Sequence, residues 1–258
     1  MTFSEDQLIV WLQQYFWVFV RMGGVMAIAP VLGARSVAPP IRILLALLLT
    51  LLVAPLLPEP AKVELFGASW LVALAQQLLI GVSAGFVLLL VFEATVLGAE
   101  LISYSMGLGF AQLADPLRGV TTPVLGTFLT IVTTLLFIAL GGHLLLIETM
   151  VRSFHTLPVG SVGFDARALV MLLQFGSIVF IGGLQLALPV VIALLVVNLA
   201  MGVISRSAPT LNLFAVGFPM TLIAGLVLIH AGLPALLDGV TTLFDDAWLI
   251  LDQVLRTP

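Results

Sequence analysis

No charged residue stands between Glu64 and Glu93, and none between Arg167 and Arg206. Runs of that length suffice to cross a bilayer, since about 20 helical residues span its hydrocarbon core. Lipid offers no partner for backbone N–H and C=O groups, so uncharged chain of this kind is expected to be helical. The expected fold class is all-α: a membrane-associated bundle of long, bent helices and helical hairpins. Composition adds weight. Of 258 residues, 61% are hydrophobic and only 9% charged, against roughly 25% charged in soluble domains. Mean hydropathy is +1.26. Nine basic and thirteen acidic residues cannot cover a globule of this size, so the remaining surface is expected to face lipid or other protein.

The same inventory excludes several function classes. A net charge of -4 without a basic patch gives nucleic acid no electrostatic purchase. The chain has no cysteine, so disulfides, thiol catalysis and thiolate metal sites are absent. His143, His155 and His230 lack metal-ligand spacing, and structural hydrogen-bonded roles are expected for them. Near the start, Glu5, Asp6 and Arg21 depart from the pattern of a cleavable signal, so the first helix is expected in the mature protein.

Apolar segments run over residues 8–32, 41–57, 66–106, 124–151, 168–204 and 211–237, within a single unit of 1–258. An amphipathic tail follows at 240–255, where Asp245, Asp246 and Asp252 interleave with Leu243, Phe244, Trp248 and Leu251. Segments 66–106 and 168–204 are too long for one straight span and are expected to be bent helices or hairpins, with Pro189 interrupting the second. Strict alternation across a membrane would put Arg35, Arg42, Arg118 and Arg206 on one side. Lys62, Arg152, Arg167 and Arg256 would fall on the other. That tie gives the positive-inside rule nothing to act on. It hints that the helices do not all span conventionally.

Four groups of residues carry more specific information. Gly81 with Gly85, Ala94 with Gly98, and Gly183 with Ala187 are small residues four apart, a spacing that lets helix backbones approach closely. The bland alternative is that glycine is simply common in membrane helices. Glu93 and Glu100 lie seven apart on one helix face, extended by Ser103 and Tyr104. Ionised acids in hydrocarbon cost about 3 kcal/mol or more, so this stripe is expected to face a passage, a neighbouring subunit or water outside the bilayer. Arg21 poses the same problem, with an acid on another helix or a lipid headgroup as its expected partner.

The stretch 107–123 is rich in Gly, Pro and polar residues, yet it sits between two apolar segments. It reads equally as an exposed loop or a re-entrant plug. Gly81-Val82-Ser83-Ala84-Gly85 also spells the G-x-S-x-G nucleophile pattern, but a helical run lacks the strand-turn-helix that the motif requires.

A resemblance enters at residues 187–220, which read ALPVVIALLVVNLAMGVISRSAPTLNLFAVGFPM. Asn198, Arg206, Pro209, Asn212, Phe214, Gly217, Phe218 and Pro219 stand in elements that resemble the FliR-type export-gate family of flagellar and injectisome secretion. Arg21 with the Pro30–Gly33 run, Pro40-Ile41-Arg42, the MGLGFAQLADP run and the GGHLLLI run extend the likeness over nearly the whole chain. Thr210 departs from it, where members usually carry glutamine.

The resemblance implies a non-enzymatic gate subunit without cofactors that packs with FliP-type and FliQ-type subunits. FlhB-type and FlhA-type components and unfolded substrates in transit would be further partners, besides lipid. The implied location is the bacterial inner membrane at the flagellar basal body, with part of the complex displaced toward the periplasm. It also implies a pore plug at Gly107, Leu108, Gly109, Phe110, Gln112, Asp115, Pro116, Arg118 and Gly119, tipping the re-entrant reading. An ion-coupled transporter using Glu93, Glu100 and Asp115, and an intramembrane serine protease built on Ser83, are the alternative expectations.

Overall fold

A computed structural model describes residues 5–34, 36–58, 63–64, 67–109, 124–160, 165–207 and 213–256. Every regular element among them is a helix. These are α1 (Glu5–Ile28), α2 (Pro39–Val53), α3 (Ala68–Ser105), α4 (Val124–Ala139), α5 (Gly142–Thr156), α6 (Ala166–Phe175), α7 (Ile178–Ser207) and α8 (Leu213–Arg256). A short 3-10 turn, Ala54–Leu56, prolongs α2.

Of the two forms expected for segment 66–106, a helix and a hairpin, the structure has the single helix α3. Three other segments differ from the sequence reading. Segment 168–204 is broken, but at Gly176-Ser177, between α6 and α7. Pro189 lies inside α7, which continues through it. A proline forfeits one backbone bond, and neighbouring helical turns hold the rest. Segment 211–237 and the tail 240–255 are a single helix, α8, which carries Pro219 and Pro234 within it. Segment 124–151 divides at Gly141, whose φ of 69° caps the start of α5 in the left-handed region.

At 38 and 44 residues, α3 and α8 reach about 57 and 66 Å, well beyond the roughly 30 Å hydrocarbon core. Among the described residues, four stretches are long and apolar enough to cross a membrane: Pro39–Leu56, Ala68–Ser105, Ala166–Ser207 and Val216–Arg256.

The chain forms two compact units. The first comprises Met1–Leu90, Phe137–Gly176 and Asp246–Pro258. Its small core gathers Trp17, Val63, Ala73 and Val159, flanked by Phe16 and Trp70, whose rings stack at 5.5 Å. Gln13 Nε2 donates to Val63 O at 2.8 Å, and Gln14 Nε2 to Ala54 O at 2.7 Å. These bonds tie the chain after α2 back onto α1. The second unit comprises Val91–Leu136 and Ser177–Asp245. Its core packs Ile102 and Met106 of α3 against Leu125 and Leu129 of α4, Val190 and Leu194 of α7, and Ile229 of α8.

Candidate functional site

Among the described residues, each unit holds a polar or irregular feature at a point singled out in the sequence. In the first unit it is Arg21, which is fully buried. Its guanidinium donates from Nε to Gln77 Oε1 at 2.8 Å, from Nη1 to Ser153 Oγ at 2.8 Å and from Nη2 to Leu157 O at 2.8 Å. Nη2 also donates to Gln77 Oε1. Phe154 faces the charge, 3.8 Å from Cζ to the ring centroid. The expected acid or headgroup is not among these partners. All of them are neutral, and burial keeps Arg21 off any surface contact with another subunit. Ser153 Oγ donates its own O–H to Met150 O at 2.6 Å, which leaves its lone pairs to accept from Arg21.

Close backbone approach makes this arrangement reachable. A Cβ placed on Gly81 would collide with Arg21 O, and one on Gly85 would lie 2.8 Å from Ala29 N. α3 therefore lies directly on the α1 backbone, one turn below Gln77. Ser83, between those glycines, is buried in mid-helix, so no strand-turn-helix elbow surrounds it.

In the second unit the feature is the end of α3. Gly107 has φ 81°. Its N–H bonds to Tyr104 O at 3.0 Å, and Leu108 N–H bonds to Ser103 O at 3.1 Å. This paired pattern terminates a helix with a left-handed residue that glycine adopts freely. The cap rests on α8, where a Cβ on Gly107 would stand 3.3 Å from the Phe218 ring. Thr221 Oγ1 reaches Met106 O at 3.4 Å and Phe218 O at 3.0 Å. From α7, Asn198 Nδ2 donates to Ser105 O at 3.4 Å. Two groups singled out separately in the sequence, the start of the Gly107–Pro123 stretch and the Asn198/Phe218 motif, thus meet. Thr221 was missed: two residues past Pro219, it carried no distinguishing pattern, while Met106 entered only as the first residue of the MGLGFAQLADP run.

Leu108 and Val124 both line an apolar cavity of about 510 Å³ shared with Phe128, Leu222 and Leu226. The other plug candidates, Phe110, Gln112, Asp115, Pro116, Arg118 and Gly119, lie outside the described residues. So do Pro209, Thr210 and Asn212 of the motif. Arg206 and Pro219 are exposed and Gly217 is buried.

The remaining small-residue pairs bring α3 and α7 together. A Cβ on Gly98 would sit 3.0 Å from Gly183 O, and one on Gly183 would sit 2.8 Å from Ala94 O, with Ala187 fully buried alongside. Glu93 and Tyr104 are exposed and Glu100 is half-buried.

A family model described as bacterial export proteins, family 1, matches residues 12–247. The chain belongs to that family. Among its relatives, the flagellar biosynthetic protein FliR of Escherichia coli K12 is 38% identical over 253 residues, covering 98% of this chain and 96% of the relative. FliR of Aquifex aeolicus is 32% identical over 256 residues, covering 98% and 96%. FliR of Bacillus subtilis is 26% identical over 219 residues, covering 83% and 84%. The match takes in both the Arg21 region and the Asn198–Phe218 region.

Proposed function

We propose that this bacterial export protein is a non-catalytic subunit of the flagellar type III export gate. It packs with FliP-type and FliQ-type subunits around a conduit for unfolded substrates, in the inner membrane at the basal body and partly displaced toward the periplasm. FlhB-type and FlhA-type components complete the apparatus on this reading. The observation that carries it is the near-full-length likeness to FliR proteins.

Two physical features support it. α3 and α8 outrun the bilayer, and α7 exposes Leu195, Val196, Leu199 and Val203 along one stretch. Apolar helix that extends past the hydrocarbon needs protein to cover it. The second feature is the capped end of α3, a firm anchor for the stretch that follows. On this reading 107–119 stoppers the conduit, and Asp115 pairs with Arg118 to hold it shut. Tight pairs at Gly81/Gly85, Ala94/Gly98 and Gly183/Ala187 set the packing, while Glu93, Glu100 and Tyr104 meet a neighbouring subunit.

Mild detergent extraction tests the assembly: two other small hydrophobic subunits should co-purify in a fixed ratio, and the chain should restore motility to a strain lacking its own FliR. A self-sufficient monomer that moves a small solute alone would overturn the reading. Charge reversal at Asp115 or Arg118 should raise ion leak or change export; unchanged leak and export in both variants would remove the latch.

A further inference from the structure

The connection between α1 and α2 holds a backbone conformation that its own side chain resists. Val31 has φ 68° and is the one non-glycine residue with positive φ among the described residues. Leu32 N–H donates to Pro30 O at 2.8 Å, closing a three-residue turn around Val31. In this region Cβ crowds the following carbonyl, and a branched Cβ crowds it further. Turns of this kind are rare and strained. They persist only where the surroundings over-determine them.

The surroundings here do so. Gly33 N–H donates to Ala29 O at 2.8 Å. A Cβ on Gly33 would lie 2.6 Å from Met26 O, so the chain doubles back hard against the end of α1. Gly85 of α3 presses on Ala29 from the other side, with a Cβ there 2.8 Å from Ala29 N. Arg42 closes the far end: its Nε donates to Val37 O at 2.9 Å and its Nη2 to Ala34 O at 2.8 Å. A glycine at position 31 would sit in this turn without penalty. The chain has valine.

We propose that Pro30-Val31-Leu32 is a strained joint whose stored energy is released when the connection extends, letting α2 shift against α1 during the working cycle. Opening breaks the Leu32–Pro30 and Gly33–Ala29 bonds, and relief at Val31 offsets part of that loss. A relaxed residue at 31 removes the offset and holds the turn closed. The export arm of the test rests on the gate function proposed above; the exchange arm does not.

The test uses Val31→Gly and Val31→Asn, both of which tolerate the left-handed region. Complexes extracted in mild detergent are followed by hydrogen exchange over residues 29–38, and export is read from secreted filament protein. Exchange of the turn amides should slow about tenfold in both variants, the order expected from relief of one strained residue. Export should fall severalfold at unchanged complex abundance. Wild-type exchange in both variants overturns the strain. Slowed exchange with wild-type export overturns its use. Failure of the wild-type chain to support export at all overturns the gate function, while exchange still decides whether the joint is strained.

Discussion

Replacing Gln77 by leucine should damage this protein more than removing Arg21 itself. Gln77 Oε1 accepts from both Nε and Nη2 of Arg21, and both residues are buried. Gln77→Leu leaves a full charge with only Ser153, Leu157 O and the Phe154 face around it. Stranding a buried charge by deleting one partner costs about 3–5 kcal/mol. Arg21→Met removes the charge along with its desolvation cost. It strands two neutral acceptors, Gln77 Oε1 and Leu157 O, at about 1–3 kcal/mol each. Lost contact with Phe154 adds about 1–2 kcal/mol, and the vanished desolvation cost of several kcal/mol works the other way. The net for Arg21→Met is about 2 kcal/mol.

The double variant Arg21→Met/Gln77→Leu strands only Leu157 O and should be milder than Gln77→Leu alone. Thermal melts in detergent would read this as a fall on the order of 10 °C for Gln77→Leu, partly recovered in the double variant. Additive losses would refute the reasoning, because a stranded charge cannot be stranded once the charge is gone. Arg21→Lys should resemble Gln77→Leu, since an ammonium cannot bridge three partners in one plane.

Four other outcomes follow from the packing. Gly183→Val places branched carbon against Ala94 O, already 2.8 Å from a bare Cβ; a loss above about 3 kcal/mol is expected in a melt, since backbone yields less than a side chain. Gly202→Ala, with nothing within 4 Å, should be neutral or stabilising by up to about 1 kcal/mol in the isolated chain. Gly107→Val forces a branched residue to φ near 81° at about 1–2 kcal/mol; faster amide exchange over 103–108 should show it, with Gly107→Asn milder. Ser83→Ala should leave motility and abundance unchanged, because the serine sits in mid-helix and alanine fits the same space; loss of activity without loss of protein would reopen a catalytic role.

The contrast between Arg21 and Gly81 shows how far residues alone reach. Gly81 and Gly85 were legible because helical period and small size suffice to mark a close approach. Arg21 was legible as a problem, but its solution was not. Gln77, Ser153 and Leu157 lie 56, 132 and 136 positions away. A neutral amide, a hydroxyl and a backbone carbonyl leave no pattern in composition or charge. The expectation of an acid came from treating the charge as needing a countercharge, whereas several aligned neutral acceptors and an aromatic face serve together.

Helix breaks divide in the same way. Pro189 looked like the interruption, but α7 runs through it and the break falls at Gly176-Ser177. Local chemistry says where a helix is weakened, and packing decides whether the weakness is used. The tail at 240–255 likewise belongs to α8, because nothing at 238–240 forces the chain out of helix. The cap at Gly107 lay between the two cases: glycine there announced an irregular point, but only the fold placed Phe218 and Thr221 against it.

By itself the sequence determined that this chain is helical, apolar enough for a membrane, free of thiol chemistry and akin to export proteins. Those properties depend on counts and short periods, which do not change when the chain folds. Tertiary structure alone decided which neutral groups hold the buried cation, which helices continue, and where Val31 is bent against its preference. Each of these depends on atoms brought together from distant positions, and no local spacing records that meeting.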